Sequence, residues 1–206
     1  RWQKFKFKSK DYDHEFVLQP YEYQMVRGID FYEYCLNELK QDARFHILTA
    51  PIKELFTLNS MAVLKTQEYS YFAPYIFNSA FRIQSLKTNH INYVQHFKGW
   101  LIETPDEQFD ESRPVFMNFD TEQFHDCRFF YVIPFTKQKA LIEYTGFSKN
   151  ALKEEEYDQA LMHYIKEDLH ISNFNILETE RGEIPMAESR FINPYGSAII
   201  NIGTAG

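Results

Sequence analysis

Residues 129–145 carry the pattern that most limits how this chain can fold. Phe129-Phe130-Tyr131-Val132-Ile133-Pro134 is an aromatic and β-branched run, Thr136–Lys139 is a short polar turn, and Ala140-Leu141-Ile142-Glu143-Tyr144-Thr145 is a return run. Strands joined by so short a turn pair antiparallel. A side-chain period of two then sends Ile142 and Tyr144 to one face and Leu141, Glu143 and Thr145 to the other. A carboxyl group on a face floored by rings such as Phe129, Phe130 and Tyr131 loses hydration. Its pKa rises, so it stays protonated near neutral pH and can act as a general acid. The pattern alone leaves open whether Glu143 meets such a hollow or bulk solvent.

The same signal extends to both sides of this pair. Tyr93–Glu103 and Val115–Asn118 read as strands ahead of it, separated by an acidic loop at Thr104–Arg113 that contains Pro105. Arg128–Pro134 and Lys139–Thr145 are the pair itself. Lys153–Leu169 then reads as a helix: Tyr157, Leu161, Tyr164, Ile165 and Leu169 share a face, and Glu154-Glu155-Glu156 suit the positive end of the dipole. Phe174–Thr179 and Glu183–Met186 read as a strand pair around Arg181-Gly182, and Ala198–Ile202 as a short buried strand.

In the first third, Lys4–Lys8, Glu15–Gln19 and Tyr21–Val26 read as strands. Asp30–Lys40 reads as a helix, capped by Asp30 with Glu33 three residues on. Arg44–Thr49 alternates like a strand, Ile52–Leu58 and Met61–Thr66 form a hairpin at Asn59-Ser60, and Ala73–Asn78 is a buried-type strand. The sum is an α+β chain: a large, mainly antiparallel sheet with few helices. It holds no GxGxxG and no βαβ unit carrying one.

Charge limits the partners. The formal net charge is −7. The one basic run, Lys4, Lys6, Lys8 and Lys10, alternates with Phe5 and Phe7 as the wet face of a strand does, so no nucleic-acid partner is expected. No apolar stretch reaches the roughly 18 residues of a spanning helix, and no signal peptide is expected. Cys35 and Cys127 form neither a CxxC motif nor a disulfide framework, which fits a reducing compartment. Aromatic residues make up 17% of the chain, about double an ordinary share. They build either an aromatic core or a ring-lined cavity for an extended apolar or cationic ligand, and composition does not choose between the two.

Other candidates for chemistry are weaker. His125-Asp126-Cys127 offers metal-type ligands, but adjacent residues on an extended chain point to opposite faces. His90, His96, His163 and His170 have no partner at ligand spacing, and no metal is expected. Ser148 lacks a nucleophile elbow and reads as a helix cap, and Asn78-Ser79 reads as a turn.

Several segments together carry a family resemblance. The run FFYVIPF…ALIEYTGFS is similar to the strand–turn–strand of lycopene cyclases, whose return strand ends in an acidic pair before threonine, usually written FLEET or LIEDT. Leu141-Ile142-Glu143-Tyr144-Thr145 occupies that motif, with Glu143 at its first carboxylate and Tyr144 in place of the second. Gln95-His96-Phe97-Lys98-Gly99-Trp100 with Ile102-Glu103, and Pro114-Val115-Phe116-Met117-Asn118-Phe119-Asp120, resemble the two segments that precede the motif. Glu180-Arg181-Gly182-Glu183-Ile184-Pro185-Met186 resembles the downstream E-x-G-x-[LI]-P-[ML] hairpin. Ile202-Gly203-Thr204-Ala205-Gly206 resembles the flavin-contacting glycine loop of the wider class that includes hydroxybenzoate hydroxylase. The matching segments run from about residue 93 to residue 206.

The resemblance implies a partial FAD-binding or connecting region at 1–90, a substrate-binding antiparallel sheet at 91–186, and a return strand with its glycine loop at 187–206. It implies Glu143 as the single proton donor, since Tyr144 cannot be a second acid. Gly203, Thr204, Ala205 and Gly206 would contact the cofactor, a reduced FAD that is not consumed. Phe129, Tyr131, Tyr144 and Phe147 would hold the cationic substrate. The substrate is a linear carotenoid, lycopene, so the enzyme would be cytoplasmic and peripheral to a membrane. The chain lacks Met at its start and stops directly after an apolar run. It reads as an excerpt without the dinucleotide-binding βαβ, retaining flavin poorly. A hydroxylase or a geranylgeranyl or carotenoid reductase on the same scaffold is the alternative among flavin enzymes, and a lipid carrier the alternative outside enzymes. Neither requires an acid at position 143.

Overall fold

The computed structural model describes residues 1–80, 91–187 and 193–203. In chain order they form β1 (Lys4–Ser9), β2 (Tyr12–Val17), α1 (Gly28–Lys40), β3 (Glu54–Leu58), β4 (Met61–Lys65), β5 (Ser70–Ala73) and β6 (Ile76–Asn78). Then come β7 (Ile91–Glu103), β8 (Val115–Asn118), β9 (Cys127–Thr136), β10 (Lys139–Ser148), α2 (Glu154–His163), β11 (Asn175–Ala187) and β12 (Ile199–Asn201). The fold is α+β. The chain divides into two units, one made of Arg1–Met25 with Ile91–Ala187, the other of Val26–His90 with Glu188–Gly206.

The first unit is a seven-stranded sheet in the order β11-β7-β10-β9-β8-β1-β2. Every pairing is antiparallel except β1 with β8. At its centre β9 and β10 form the hairpin that the alternating runs predict, with Glu143 opposite Tyr131 and Thr145 opposite Phe129. The sheet takes in residues from the start of the chain: β1 and β2 extend it beyond β8.

One face of this sheet is covered by α2. Ile142, Tyr144, Ala140, Trp100, Ile102, Phe130 and Val132 meet Tyr157, Leu161, Tyr164 and Ile165 in one buried cluster. Tyr157, Leu161 and Ile165 are fully buried, and burial of each such side chain contributes roughly 1.5–3 kcal/mol. Buried Lys98 on β7 reaches up to Glu154 and Asp158 of the helix, an ion pair on each side. The helix opens as its acidic start predicts, with the Glu156 carboxylate accepting from the Lys153 backbone N–H at 2.8 Å.

Four local expectations are corrected. The segment from Phe174 to Met186 is no hairpin: β11 runs unbroken along β7 from Asn175 opposite Glu103 to Ala187 opposite Ile91. Gly182 serves close approach there rather than a turn, because it faces the Phe97 ring. The helix expected over 153–169 changes character at Tyr164–Asp168, a π-helical turn in which the Leu169 N–H donates to the Tyr164 carbonyl. This turn sets the Tyr164 ring flat on Phe130, centroids 3.9 Å apart. Arg44–Thr49 forms no strand, because Asp42 draws the Arg44 side chain and the Phe45 N–H into a local turn. Tyr21–Val26 is likewise not a strand beyond one bridge between Tyr23 and Trp2.

The second unit contains the three-stranded sheet β3-β4-β5 and a parallel pair of β12 with β6. The β3–β4 turn sits at Asn59-Ser60, as expected, with φ of +49° and +64°, the left-handed geometry of a two-residue hairpin. Helix α1 begins two residues before Asp30, so Asp30 lies in its first turn instead of capping it, and α1 buries none of its side chains.

Candidate active site

The sheet face turned away from α2 carries the odd-numbered residues of β10: Leu141, Glu143, Thr145 and Phe147. Glu143 is half-buried. Its Oε1 accepts a hydrogen bond from Thr145 Oγ1 at 2.8 Å, two residues along the same face. Across the sheet, Glu143 lies opposite Gly99 of β7, and Gly99 lies opposite Glu180 of β11. The glycine leaves no side chain between the two carboxyl groups. A β-carbon on Gly99 would sit 3.0 Å from both Cγ and Oε1 of Glu180, which therefore lies over the β7 backbone toward β10.

Loss of hydration pushes the Glu143 carboxyl up to about 7. The Thr145 hydrogen bond opposes this, and the charge and hydrogen bonding of Glu180 add to the rise. A carboxylic acid held that high is still about half protonated in neutral solution, where an ordinary carboxyl has lost its proton, and can donate it. Burial, with the Glu143 charge second, pushes the Tyr131 phenol up to about 12 and raises that of Tyr23. Both phenols stay neutral beside the acid.

Rings continue this face outward from Glu143. Phe129 packs edge-on against Tyr131 at 5.2 Å and meets Phe147 at 6.3 Å and Phe119 at 4.9 Å. Tyr131 meets Phe116 at 5.6 Å, which in turn touches Tyr23 and Phe5. The aromatic excess of the composition thus divides between a core under α2 and a ring-lined sheet face. The structure brings Phe129, Tyr131 and Phe147 together with Glu143 on that face. It does not bring Tyr144 there: Tyr144 is 3% exposed, stacks on Phe130 under α2, and accepts from Arg128 at 3.3 Å.

Thr145 stands beside Glu143 as the alternation predicts; Glu180, Gly99 and Tyr23 complete the surroundings and were not candidates from the sequence. Glu180 belongs to the ERGEIPM segment, but nothing local fixes which strand it pairs with. Among the described residues, no group of three His, Cys, Asp or Glu side chains gathers as a metal site requires.

A flavin can be tested against Gly203 in the second unit. Gly203 directly follows the β6/β12 pair, where the Ile202 N–H donates to the Asn78 carbonyl at 2.9 Å. Its φ is +60°, and among the described residues a β-carbon there would meet nothing within 4 Å. Backbone open to close approach at the end of a parallel strand pair fits a flavin or phosphate group. Thr204, Ala205 and Gly206 lie outside the described residues.

A family model described as lycopene cyclase protein matches residues 1–206. Comparison with curated proteins finds no match. Among solved structures, a geranylgeranyl bacteriochlorophyll reductase-like protein from Thermoplasma acidophilum is similar with a TM-score of 0.71 at 12% identity, over 99% of this chain and 54% of its own. HpxO of Klebsiella pneumoniae, complexed with FAD and uric acid, is similar with a TM-score of 0.67 at 10% identity, over 100% of this chain and 57% of its own. A flavin-dependent brominase, Bmp2, follows with a TM-score of 0.61 at 12% identity, over 99% of this chain and 56% of its own. The chain spans about half the length of these structures. At such identities the likeness is one of fold.

Proposed function

The chain belongs to the lycopene cyclase family, and from that premise we propose that it cyclises the ends of lycopene by acid catalysis, with Glu143 as proton donor. The observation that carries this reading is the Glu143 carboxyl: half-buried, raised to about 7 and set among aromatic rings.

The chemistry is an isomerisation. Glu143 gives its proton to the terminal double bond, whose electron pair forms the new C–H bond and leaves a tertiary cation. The neighbouring double bond supplies the pair that closes a six-membered ring. Loss of a proton from the adjacent carbon then forms the ring double bond. One proton enters and one leaves, so the mass does not change. The faces of Phe129, Tyr131 and Phe147 hold the cation through their ring quadrupoles and keep water from capturing it.

The glycine turn at Gly203, continued by Thr204, Ala205 and Gly206, would hold FAD in the whole protein. Bound and reduced, the flavin supplies an electron-rich ring that stabilises positive charge without net redox change. Because carotenoids reside in membranes, the enzyme works at a bilayer surface from the cytoplasmic side. No described helix is long and apolar enough to cross a membrane.

The test is expression of the whole protein with lycopene, reading product mass and absorption. A product of unchanged mass with shortened conjugation, lost in Glu143→Gln while flavin stays bound, is the expected result. Added hydrogen or oxygen would assign the chain to a reductase or hydroxylase instead, and ligand retention without turnover to a carrier. Full activity in Glu143→Gln would end the proposal.

A further inference from the structure

The acid at position 143 has a second carboxyl group beside it that comes from a different strand. Tyr144, which follows Glu143 in sequence, points into the core under α2, so an acid in its place would be on the wrong side of the sheet. The residue in register with Glu143 is Glu180, two strands away through Gly99. Its side chain leans over the Gly99 backbone, with Cγ and Oε1 each 3.0 Å from where a β-carbon would be.

We infer that Glu180 is a positioning residue for the proton on Glu143: the two carboxyl groups share one proton across Gly99. This rests on the reading of Glu143 as the donor. Two carboxyl groups this close do not both ionise readily, so the pair carries one proton and one negative charge where an isolated carboxylate would carry none of the former. When Glu143 donates, the pair becomes doubly negative as the substrate becomes positive. The proton released at ring closure restores the starting state.

The groups around Glu143 favour this arrangement. On its own strand the neighbour on that face is Thr145, a hydrogen-bond donor. From β9 comes Tyr131, from the segment after β2 comes Tyr23, and β11 adds Glu178, opposite Leu101, on the same side as Glu180. The cations of these strands are already paired: Lys139 of β10 with Glu103 at 3.4 Å at the far end of the strand, and the others on the helix side. Lys98 pairs with Glu154 and Asp158, Arg181 with Glu154 at 2.7 Å, and Arg128 with Asp126 at 2.8 Å while reaching the Tyr144 hydroxyl.

The experiment is the pH profile of kcat for lycopene cyclisation in the whole, flavin-loaded protein. In the wild type, kcat falls as pH rises past the point where the pair loses its proton. Glu180→Gln removes the second charge, and the falling limb moves to lower pH by about one unit, with the maximal rate at acid pH largely kept. Glu180→Asp keeps the charge but withdraws it by one methylene. It moves the limb part of the way, and it decides the matter by the same criterion should the Gln variant not fold. Glu180 is exposed, so both variants leave the core intact. A limb that does not move, or moves to higher pH, overturns the inference for Glu180. If Glu143→Gln is inactive at every pH in that case, the donor assignment stands on its own. If Glu143→Gln is active, the donor assignment falls and Glu180 with it.

Discussion

The imidazole of His96 fills the space above Gly146, across β7 from β10, so closely that a β-carbon at 146 would lie 2.5 Å from its Cε1 atom. The ring cannot step aside. It is fully buried, with Nδ1 2.7 Å from the Tyr157 hydroxyl and Nε2 2.8 Å from Ser148 Oγ. Gly146→Ala therefore forces the ring out of two hydrogen bonds or the strands apart, and is expected to destabilise the protein by about 3 kcal/mol. Gly182→Ala is the comparison. Its β-carbon would come 2.3 Å from Phe97 Cζ, but that ring is half-buried and can swing. The expected loss is about 1 kcal/mol, part of it offset by the lower backbone entropy of alanine in a strand. Urea unfolding of both variants checks the order. Equal losses would mean that His96 is not locked.

The same histidine makes stability fall in mild acid. Only the neutral tautomer protonated at Nε2 satisfies its surroundings: Nε2–H donates to Ser148, the Ser148 hydroxyl donates to the Asn150 carbonyl, and the Tyr157 hydroxyl donates to Nδ1. Burial first, then the Arg128 charge, lowers the His96 pKa below 6.5. As pH falls through 6.5 the unfolded chain takes up a proton that the folded chain refuses. The stability from neutral His96 is thus complete above 6.5 and declines below it. His96→Gln should flatten the change in unfolding midpoint between pH 7.5 and pH 5.5. An unchanged slope would remove His96 as its source.

How much of this was legible in the sequence depends on the range of the interaction that decides it. Period-two alternation is local, and it placed Glu143 and Tyr144 on opposite faces of a strand paired with Phe129–Pro134. The left-handed turn at Asn59-Ser60 was equally local. The placing of Glu180 across Gly99 from Glu143 was not, since it depends on β11 lying along β7. Gly182 looked like the turn of a hairpin because glycine signals turns and close approaches alike, and only the position of the Phe97 ring separates the two. The addition of β1 and β2 beyond β8 was hidden for a similar reason: the Lys4–Lys8 alternation identifies a strand without naming its neighbour.

Glu143→Gln is expected to make the protein more stable above neutral pH. The folded state keeps the Glu143 proton up to about pH 7, while an unperturbed carboxyl releases it near 4.5. Between those values folding takes up a proton, so the contribution of Glu143 is fully present below 4.5 and is lost as pH rises through 7. At pH 8 the wild type holds an ionised carboxylate where hydration is poor, and glutamine removes that charge. The expected gain is about 1–3 kcal/mol at pH 8 and close to none at pH 4. Denaturant unfolding at both pH values measures it. A gain of the same size at pH 4 would point to packing instead of charge.

Tyr131 and Tyr144 offer the sharpest separation between the two faces of the sheet: Tyr131 is half-buried and stands opposite Glu143, Tyr144 is buried and follows it in sequence. Tyr131 stands opposite Glu143, and its ring meets Phe129 and Phe116 on the same face. Its proposed role is that of a ring quadrupole facing a cation, worth about 1 kcal/mol in a dry site. Tyr131→Phe keeps the ring and should leave kcat within about twofold, while Tyr131→Leu should lower it roughly five- to tenfold. Tyr144 packs under α2, where its hydroxyl takes a long contact from Arg128 at 3.3 Å. Tyr144→Phe should leave kcat unchanged, and Tyr144→Leu should reduce the unfolding midpoint through lost stacking on Phe130 far more than it changes turnover per folded molecule. Product formation normalised to folded, flavin-loaded protein distinguishes the two. If Tyr144→Leu slows cyclisation as much as Tyr131→Leu does, the cation does not form on the Glu143 face.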